Sequence, residues 1–352
     1  MKPSVSVCIA NHNYAHYVTQ AIESCLAQTH PDVEIIVVDD GSTDDSLAVL
    51  EQYRGRVTLL SQENSGQFVS VRRAFDASTG DLVIFLDADD LLDPTTAARA
   101  AEEFRREPGA GRIQWRLRVI GPHGEPTDDM FPPATWKLSE GDLRGHVLSR
   151  RTYVWPPTSG NAYPRSVLDV VFSVIRDERP LIDLLLAETT PLLGPVVNLQ
   201  GACGSYRWHT QNFSGSSEMR KDATTFLHDR IEETMAGHHI VRRLCQAQGI
   251  VGCPVEPTSA LDWAFAGYRL GSLRIDPSTH PLAGDRRLPL AMRGIRDVLT
   301  QPDYSYRARG RRAAWLAATA LAPASAARRL VDRVYMAPPT SPKFSEIPAR
   351  PA

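Results

Sequence analysis

The sequence predicts an α/β protein in which a mostly parallel, Rossmann-like sheet is flanked by helices and followed by a mainly helical C-terminal extension. Two observations support this fold class. Strand patterns alternate with helix patterns over the first hundred residues, and the strands are almost continuously apolar. Strands of that composition are typical of a parallel sheet that helices cover on both faces. Ligands of such sheets bind beyond the carboxyl ends of the strands, so functional residues are expected there.

The expected elements follow one another along the chain. The strands are Val5–Ile9, Val33–Val38, Val57–Leu60 and Leu82–Leu86. The helices span about Tyr14–Gln28, a segment capped by Ser42 and Thr43 that ends near Gln52, Gln67–Ala77, and a segment that Pro94 opens at its first turn. Beyond residue 110 we expect a strand at Arg112–Ile120, a loop rich in proline and glycine at Gly121–Pro133, and helices at Arg165–Val174 and Pro180–Glu188.

The pattern predicts three parts. Residues 1–215 are expected to form the α/β domain, in which 1–110 carries the strand–helix alternation and 111–215 completes the site. Residues 216–337 are expected to form the helical extension. Residues 338–352 are rich in proline and serine, a composition typical of a disordered tail.

Composition excludes several classes of protein. The 352 residues include 39 Lys and Arg and 41 Asp and Glu, a net charge of −2 that gives no global attraction to nucleic acid. No lysine follows a glycine as a P-loop requires, and no G-x-G-x-x-G follows a strand, which excludes P-loop NTPases and dinucleotide dehydrogenases. The five scattered cysteines argue against a disulfide scaffold or zinc site. With no secretory signal and no long apolar run, a cytoplasmic location is expected.

Two aspartates follow the fourth strand directly. Asp87 and Asp89 stand two residues apart, and residues at that spacing in an extended segment point the same way. Hard carboxylate ligands, few in number, suit Mg²⁺ or Mn²⁺ that keeps waters and takes phosphate oxygens. The alternative for aspartates at strand ends, helix capping alone, is open for Asp44 and Asp93.

Four segments resemble family 2 glycosyltransferases, which have the GT-A fold. They occur in the family's order and at its spacing, and they read SVCIANHN at 6–13, IIVVDDGSTD at 35–44, ENSGQ at 63–67 and GDLVIFLDADD at 80–90. The chain departs from the family at Ala10, where proline or threonine is common, and at His12, where tyrosine is common.

The resemblance implies roles for residues in the first half. Asp39 would accept a hydrogen bond from the imide of uracil or thymine. The metal-binding D-x-D motif would be Asp87 and Asp89, with Asp89 the direct ligand. The residues implied to contact the nucleotide sugar in this half are Ala10, Asn11, His12, Asp39, Asp40, Asn64, Asp87 and Ala88.

In the second half the resemblance implies a catalytic base. Asp183 lies in the apolar segment PLIDLLL at 180–186, where the family carries its catalytic aspartate, and partial burial there would strengthen the carboxylate as a base. Because Ile182 replaces the glutamate that usually precedes it, Asp177 and Glu178 stay open as alternatives.

Two further segments complete the expected site. Ser159, Gly160 and Asn161, in PTSGNAY at 157–163, are expected to bind the acceptor. The segment YRWHTQNFS at 206–214 places Arg207 and His209 two residues apart, where both could reach the donor diphosphate.

Together these parts imply an inverting, metal-dependent glycosyltransferase. It would move a sugar from a nucleotide-diphosphate donor, UDP- or dTDP-linked, to an acceptor hydroxyl in bacterial polysaccharide, glycolipid or glycoconjugate synthesis. The alternatives are a degenerate module that binds a sugar nucleotide without catalysis, and a sugar nucleotidyltransferase. The nucleotidyltransferase would need a glycine-rich loop after the first strand, and residues 11–17 contain no glycine.

The C-terminal extension carries a basic segment. Between residues 307 and 333 there are seven arginines and one acidic residue, Asp332, on either side of an alanine-rich stretch with one tryptophan, Trp315. A helix of this composition either packs on the protein or lies at the surface of an anionic membrane. The second possibility would make the protein peripheral on the inner face of the cell membrane.

Overall fold

The computed structural model describes residues 2–149, 153–209, 222–253, 263–300 and 306–336. Its chain divides into two compact units. The first consists of Met1–Arg144 and Val154–Trp208, and the second of Gly145–Tyr153 and His209–Ala352. The expected tail at 338–352 lies outside the described residues, as does the end of the YRWHTQNFS segment.

The first unit contains one large sheet with helices around it. Its strands are β1 Val5–Asn11, β2 Val33–Asp40, β3 Thr58–Gln62, β4 Leu82–Asp87, β5 Leu91–Leu92, β6 Arg112–Ile120, β7 Pro126–Phe131, β8 Asn161–Pro164 and β9 Val196–Arg207. Its helices are α1 Ala15–Leu26, α2 Ser46–Glu51, α3 Gln67–Ala77, α4 Thr96–Arg106, α6 Arg165–Ser173 and α7 Ile182–Leu193, and α5 Arg144–Leu148 begins at its border. A short 3-10 turn occupies Thr158–Gly160.

The sheet confirms the predicted fold class. Its main path runs β3-β2-β1-β4-β8-β6-β9-β5, with β7 paired to β6. Strands β1 to β4 are parallel to one another, as their continuous apolar sequences predict, and β1, β2 and β4 are almost completely buried. The second half is mixed, because β8 pairs antiparallel with both β4 and β6 while β6 and β9 are parallel.

The strand order reverses between β1 and β4. The chain moves from β1 to β2 to β3 in one direction and then returns across β1 to form β4. Because crossovers between parallel strands are right-handed, α3 lies on the opposite face of the sheet from α1 and α2. Ligands of open α/β sheets bind beyond the carboxyl ends of the strands at such a reversal, here at the ends of β1 and β4.

Three local expectations are corrected. The segment Gly121–Pro133 is not all loop, because 126–131 pairs with β6 as β7. Helix α2 begins at Ser46, later than a cap at Ser42 and Thr43 predicts, since the Asp44 carboxylate accepts the backbone N–H of Ser46. The D-x-D segment is not extended, because the N–H of Asp90 donates to the carbonyl of Asp87 at 3.0 Å and closes a turn.

The second unit is a helical bundle. Its helices are α8 Ala223–Ala247, α9 Trp263–Ile275, α10 Arg287–Thr300, α11 Tyr306–Leu321 and α12 Ala324–Tyr335. Helices α9, α10 and α11 share one apolar core, formed by Ala266, Leu270, Leu290, Ala291, Leu316 and Ala320. Gly294 allows α10 to approach closely, because a Cβ there would come within 2.9 Å of the Cβ of Ala266 and 3.1 Å of Leu316 Cδ1.

The basic segment at 307–333 contributes to this bundle. Leu316, Ala320 and Val331 are buried, and the indole N–H of Trp315 donates to the carbonyl of Leu330 at 3.1 Å. The tryptophan is thus engaged within the protein, as the packing alternative predicts. Membrane contact through 307–333 stays a prediction. Within the described ranges, none of the helices combines the length and the apolarity that crossing a bilayer requires.

Asp297 on α10 gives the second unit a testable pH dependence. Burial raises the pKa of its carboxyl to about 6, against the opposing charges of Arg293 and Arg296. The folded state holds this proton more firmly than the unfolded chain does. Ionising the buried carboxyl therefore lowers the free energy of unfolding, and this loss is absent below about pH 4 and complete above pH 6. Relative to Asp297→Asn, the wild type should lose on the order of 2 kcal/mol of unfolding free energy between pH 4 and pH 7.

Urea unfolding of both proteins at a series of pH values measures this difference. Asp332→Asn on α12, with a side chain that is 43% exposed, is the matched control. Parallel stability curves for the wild type and Asp297→Asn would show that the carboxyl does not hold its proton in the folded state.

Candidate active site

The ends of β1 and β2 enclose Asp39. Asn11 and Asp39 are direct neighbours in the register of these strands, and both side chains are almost completely buried. The Asp39 carboxylate accepts hydrogen bonds from Asn11 Nδ2 at 2.9 Å and from the Ser42 hydroxyl at 2.6 Å, and also from the Ser42 backbone at 3.1 Å. These donors fix the carboxylate in one orientation at the strand end.

Asp40 anchors the loop that follows β3. Its carboxylate accepts from Gln62 Nε2 at 2.7 Å and from the backbone N–H groups of Ser65 and Gly66, each at 2.8 Å. Gly41 has a φ of +64°, and a Cβ at this position would lie 2.5 Å from the backbone nitrogen of Asn64. Only glycine therefore allows the two loops to approach this closely.

His12 is held edge-on between these loops. Its Nδ1 lies 2.7 Å from the carbonyl oxygen of Asp40, and its Nε2 lies 3.1 Å and 3.2 Å from the side-chain amides of Asn13 and Asn64. A carbonyl can only accept, so Nδ1 carries the proton and Nε2 accepts from the amides. The ring nitrogens are thus both engaged by protein, and the face of the ring is what it can offer to a base.

Asp87 to Asp90 form a turn rich in carboxylates at the end of β4. Asp89 and Asp90 are buried, with Asp90 fully so, while Asp87 is partly exposed and Ala88 between them is buried. The backbone N–H of Asp87 donates to the Ser159 hydroxyl at 3.1 Å. Burial raises the pKa of Asp90 well above its ordinary value, and the charges of Asp89 and Asp87 add to this effect.

Arg207, at the end of β9, positions this turn. Its side chain is completely buried, its Nε donates to the carbonyl of Asp89 at 2.8 Å, and its backbone N–H donates to the Asp90 carboxylate at 2.8 Å. The remaining guanidinium donors reach Gln20 Oε1 at 2.8 Å and the carbonyl of Pro122 at 3.1 Å. Contact between Arg207 and a diphosphate stays a prediction; the observed contacts position Asp89.

The turn is the predicted divalent cation site. Burial raises the pKa of the nearby Tyr14 phenol, and the charges of Asp89 and Asp87 raise it further. Within the described ranges, no group of three or more His, Cys, Asp or Glu side chains could hold a metal ion. Carboxylate oxygens are the ligands that Mg²⁺ and Mn²⁺ prefer, so Asp87 and Asp89 suit either ion by their chemistry. Binding of a divalent cation by these two residues stays a prediction.

Asp183 lies in the first turn of α7, where the positive end of the helix dipole favours a carboxylate. The hydroxyl of Thr158 donates a hydrogen bond to it. The next residue, Ser159, contacts the backbone of Asp87. The 3-10 turn Thr158–Gly160 thus touches both the proposed base and the aspartate turn.

The residues expected to bind the acceptor are buried within the same turn. Ser159 is completely buried, and Asn161 is 2% exposed with its amide donating to the carbonyl of Pro157 at 2.8 Å. A Cβ on Gly160 would lie 2.8 Å from the carbonyl oxygen of Trp115. These side chains shape the turn, and their contact with an acceptor stays a prediction.

The other sequence expectations divide between the two units. Ala10 pairs with Asp87 across β1 and β4, and Asn64 is exposed on the loop that Asp40 anchors. His209 is buried in the second unit, and the five residues that follow it in the motif, 210–214, lie outside the described residues. The Asp44 carboxylate accepts the backbone N–H groups of Ala15 and Ser46, each at 3.0 Å, which are the first residues of α1 and α2. These contacts agree with the capping alternative for Asp44.

Sequence reasoning missed three contributors to the site. Tyr14 lies beside the aspartate turn, and Ser42 donates to Asp39. Asn13 adopts a φ of 58°, and its Oδ1 accepts the N–H of Thr43 at 2.7 Å. The available signal was the cluster Asn11–Tyr14 directly after a strand, since asparagine tolerates the left-handed conformation and bonds to nearby backbone.

Residues 6–158 match the family model described as glycosyl transferase family 2. An uncharacterized glycosyltransferase of Nostoc sp. is 39% identical over 214 residues, which are 59% of this chain and 66% of that protein. Chondroitin synthase of Escherichia coli is 36% identical over 108 residues, 30% of this chain and 16% of the synthase. The chain thus spans about two-thirds of one relative and a small part of the other.

Solved structures show the same fold. TarS 1–349 of S. aureus in complex with UDP superimposes with a TM-score of 0.53 over 94% of this chain and 91% of that one, at 15% identity. The complex of TarS 1–349 with UDP-GlcNAc gives 0.51 at 14% identity. The sheet, the aspartate turn and the family match together identify the class: the chain belongs to glycosyl transferase family 2 through residues 6–158.

Replacing Asp40 tests the loop anchor. The two oxygens of the Asp40 carboxylate accept hydrogen bonds from three donors. In the Asp40→Asn variant an NH₂ group replaces one of these oxygens, so a backbone N–H donor faces another donor. The variant should lose about 1–3 kcal/mol of unfolding free energy in urea titration. Asp45→Asn is the control, because Asp45 is exposed and makes no side-chain cap on α2. Equal losses would contradict the anchoring role.

Proposed function

We propose that this chain is an inverting glycosyltransferase that uses a pyrimidine nucleotide-diphosphate sugar, UDP- or dTDP-linked, and a divalent cation. The observation that carries the proposal is the juxtaposition of Asp39 and the Asp87–Asp90 turn on either side of β1, at the point where the strand order reverses. The complexes of TarS 1–349 with UDP and UDP-GlcNAc support a donor of this class.

The donor would lie across the ends of β2, β1 and β4. Asp39 would meet the imide of the base, and the face of His12 would stack on the ring. The diphosphate would reach Asp87 and Asp89, which would hold Mg²⁺ or Mn²⁺; when bound, such an ion would supply charge neutralisation for the leaving group. Asp89 is held in place by the contact of Arg207 with its backbone. No protein acid is needed for a leaving group that the cation stabilises.

Asp183 would act as the base. Its carboxylate removes the proton of the acceptor hydroxyl while the acceptor oxygen forms a bond to the anomeric carbon and the bond to the diphosphate breaks. One displacement inverts the configuration at that carbon, whereas retention by double displacement would need a second carboxylate as nucleophile. The Thr158 hydroxyl, which donates to Asp183, orients the carboxylate.

The biological setting is part of the proposal. All five cysteines are free thiols, which suits a reducing, cytoplasmic compartment. The relatives include enzymes named for saccharide synthesis in bacteria, and a hydroxyl of a saccharide, a glycolipid or another glycoconjugate is the acceptor we propose.

Nucleotide binding tests the donor half. UDP or dTDP, but not GDP or ADP, should raise the melting temperature of the wild type when Mn²⁺ is present, since a ligand at 100 times its dissociation constant stabilises by about 2.7 kcal/mol. Asp89→Ala should lose the metal-dependent part of the shift, and Asp45→Ala, at an exposed position, should keep it. If none of the four nucleotides shifts the melting temperature, the chain is better described as a degenerate module.

Transfer measurements test the base. Asp183→Asn should lower kcat about 10²–10⁴-fold while leaving the nucleotide shift intact, because only the proton acceptor is removed. The readout is release of UDP from the donor, with water as acceptor until another is found. Asp177→Asn and Glu178→Gln are the matched controls. Loss of turnover in either, with retention in Asp183→Asn, would transfer the role of base to that residue.

Thr158 provides a second test of the same step. Thr158→Val removes the hydroxyl that donates to Asp183 at nearly constant volume, and should reduce kcat about tenfold with little change in KM. Thr158→Ser keeps the hydroxyl and should restore most of the rate. Equal activity of Thr158→Val and the wild type would show that the hydrogen bond does not orient the base.

A further inference from the structure

Helix α10 has two apolar faces. One face is buried in the core of the second unit and contains Leu290, Ala291, Gly294 and Val298. The other consists of Leu288, Met292, Ile295 and Leu299, whose spacing of four, three and four residues places them in one stripe along the helix. We call this set the α10 stripe.

The α10 stripe is largely open to solvent. Leu288 is 50% exposed, Met292 69% and Leu299 49%, while Ile295 is partly buried at the edge of the core. The first unit contains, among its described residues, only one large apolar side chain of comparable exposure, Leu47 at 39%. Three exposed members on one helical face are a local concentration of apolar surface, and such patches mark contact sites.

The charges beside the stripe have one sign. From residue 286 to residue 300 the exposed charged side chains are Arg286, Arg287, Arg293 and Arg296. The acidic residue in this range, Asp297, is buried, and its raised pKa follows from that burial. Asp285, immediately before, is occupied by an ion pair with Arg269 and by His280. The surface around the stripe is therefore cationic.

We propose that α10 lies on an anionic lipid surface, with the α10 stripe inserted at the boundary between head groups and acyl chains. A helix that presents an apolar face flanked by arginines matches such a surface, because the long side chains reach anionic head groups while the stripe leaves water. A second copy of this chain fits less well, since it would bring arginines of like charge together around the same stripe.

The proposal differs from membrane contact through 307–333. In that segment Leu316 is buried in the bundle, and Trp315 is partly buried against its core with the indole N–H bonded to the carbonyl of Leu330. It is also independent of the catalytic assignment, because none of the residues in the α10 stripe belongs to the proposed active site. Failure of one proposal leaves the other standing.

Co-sedimentation with vesicles tests the proposal on the full chain. The wild type should sediment with vesicles of phosphatidylcholine containing phosphatidylglycerol at low salt, and should remain in solution with pure phosphatidylcholine. The variant Leu288→Gln, Met292→Gln, Leu299→Gln should bind the anionic vesicles at least about tenfold more weakly, because three apolar contacts are lost at once. Since these side chains are exposed, the variant should keep the wild-type melting temperature.

Two controls locate the contact. Leu47→Gln changes an exposed leucine in the first unit and should bind like the wild type. Tyr306→Gln with Leu321→Gln changes the exposed apolar side chains of α11, which are 88% and 73% exposed, and should retain most of the binding. Loss of binding in the α11 variant but not in the α10 variant would overturn the proposal and move the contact to 307–333.

Three other outcomes overturn the proposal. The wild type could stay in solution with every vesicle. It could instead form a dimer in size-exclusion chromatography with light scattering that the triple variant abolishes, in which case a second copy covers the stripe. Binding that is equally strong with and without phosphatidylglycerol would likewise contradict the role of the arginines.

Discussion

Each N–H donor of a buried guanidinium needs a hydrogen-bond acceptor within the protein. In the first unit the guanidinium of Arg207 meets this need with acceptors from several segments of the chain. Arg207 is completely buried, and its donors reach the carbonyls of Asp89 and Pro122 and the side chain of Gln20. It also stacks on Tyr17, with its central carbon 5.1 Å from the ring centroid. A hydrogen bond to a charged group contributes about 1.5–3 kcal/mol, so these contacts hold the segments together.

This interaction explains how four distant segments form one site. Strand β9 is far in sequence from β4, yet its last residue fixes the turn that follows β4 through a backbone donor to Asp90 and a side-chain donor to Asp89. The 3-10 turn at 158–160 approaches the same turn from the other side through Ser159. Arg207 and Ser159 therefore fix the backbone of the aspartate turn even though its carboxylates are close together and repel one another.

The site and the rest of the sheet differ in how they are stabilised. The strands are held by apolar burial, which tolerates exchange of one aliphatic side chain for another of similar volume. The loops after β1, β2 and β4 are held by carboxylates that accept two or three backbone and side-chain donors each, as Asp39 and Asp40 do. Such contacts depend on direction, and they keep the carboxylates in place before any ligand arrives.

The sequence by itself determined strands β1 to β4, helices α1, α3 and α4 and the existence of α2, and it placed Asp39, Asp87 and Asp89 at one edge of the sheet. Strand β5 and the start of α2 were not predicted correctly. Apolar runs that end in aspartate can be recognised without a structure. Because the carboxyl ends of parallel strands lie at the same edge of a sheet, these aspartates are expected there together. Tertiary structure alone decided three matters: the turn at Asp87–Asp90, the burial of Arg207 and Ser159, and the contact of Thr158 with Asp183. The physical reason is that the contacts of Thr158, Ser159 and Arg207 join residues 25 to more than 100 positions apart, and the last two of them hold the turn at Asp87–Asp90. Which donor meets which acceptor over such distances depends on packing that no local pattern encodes.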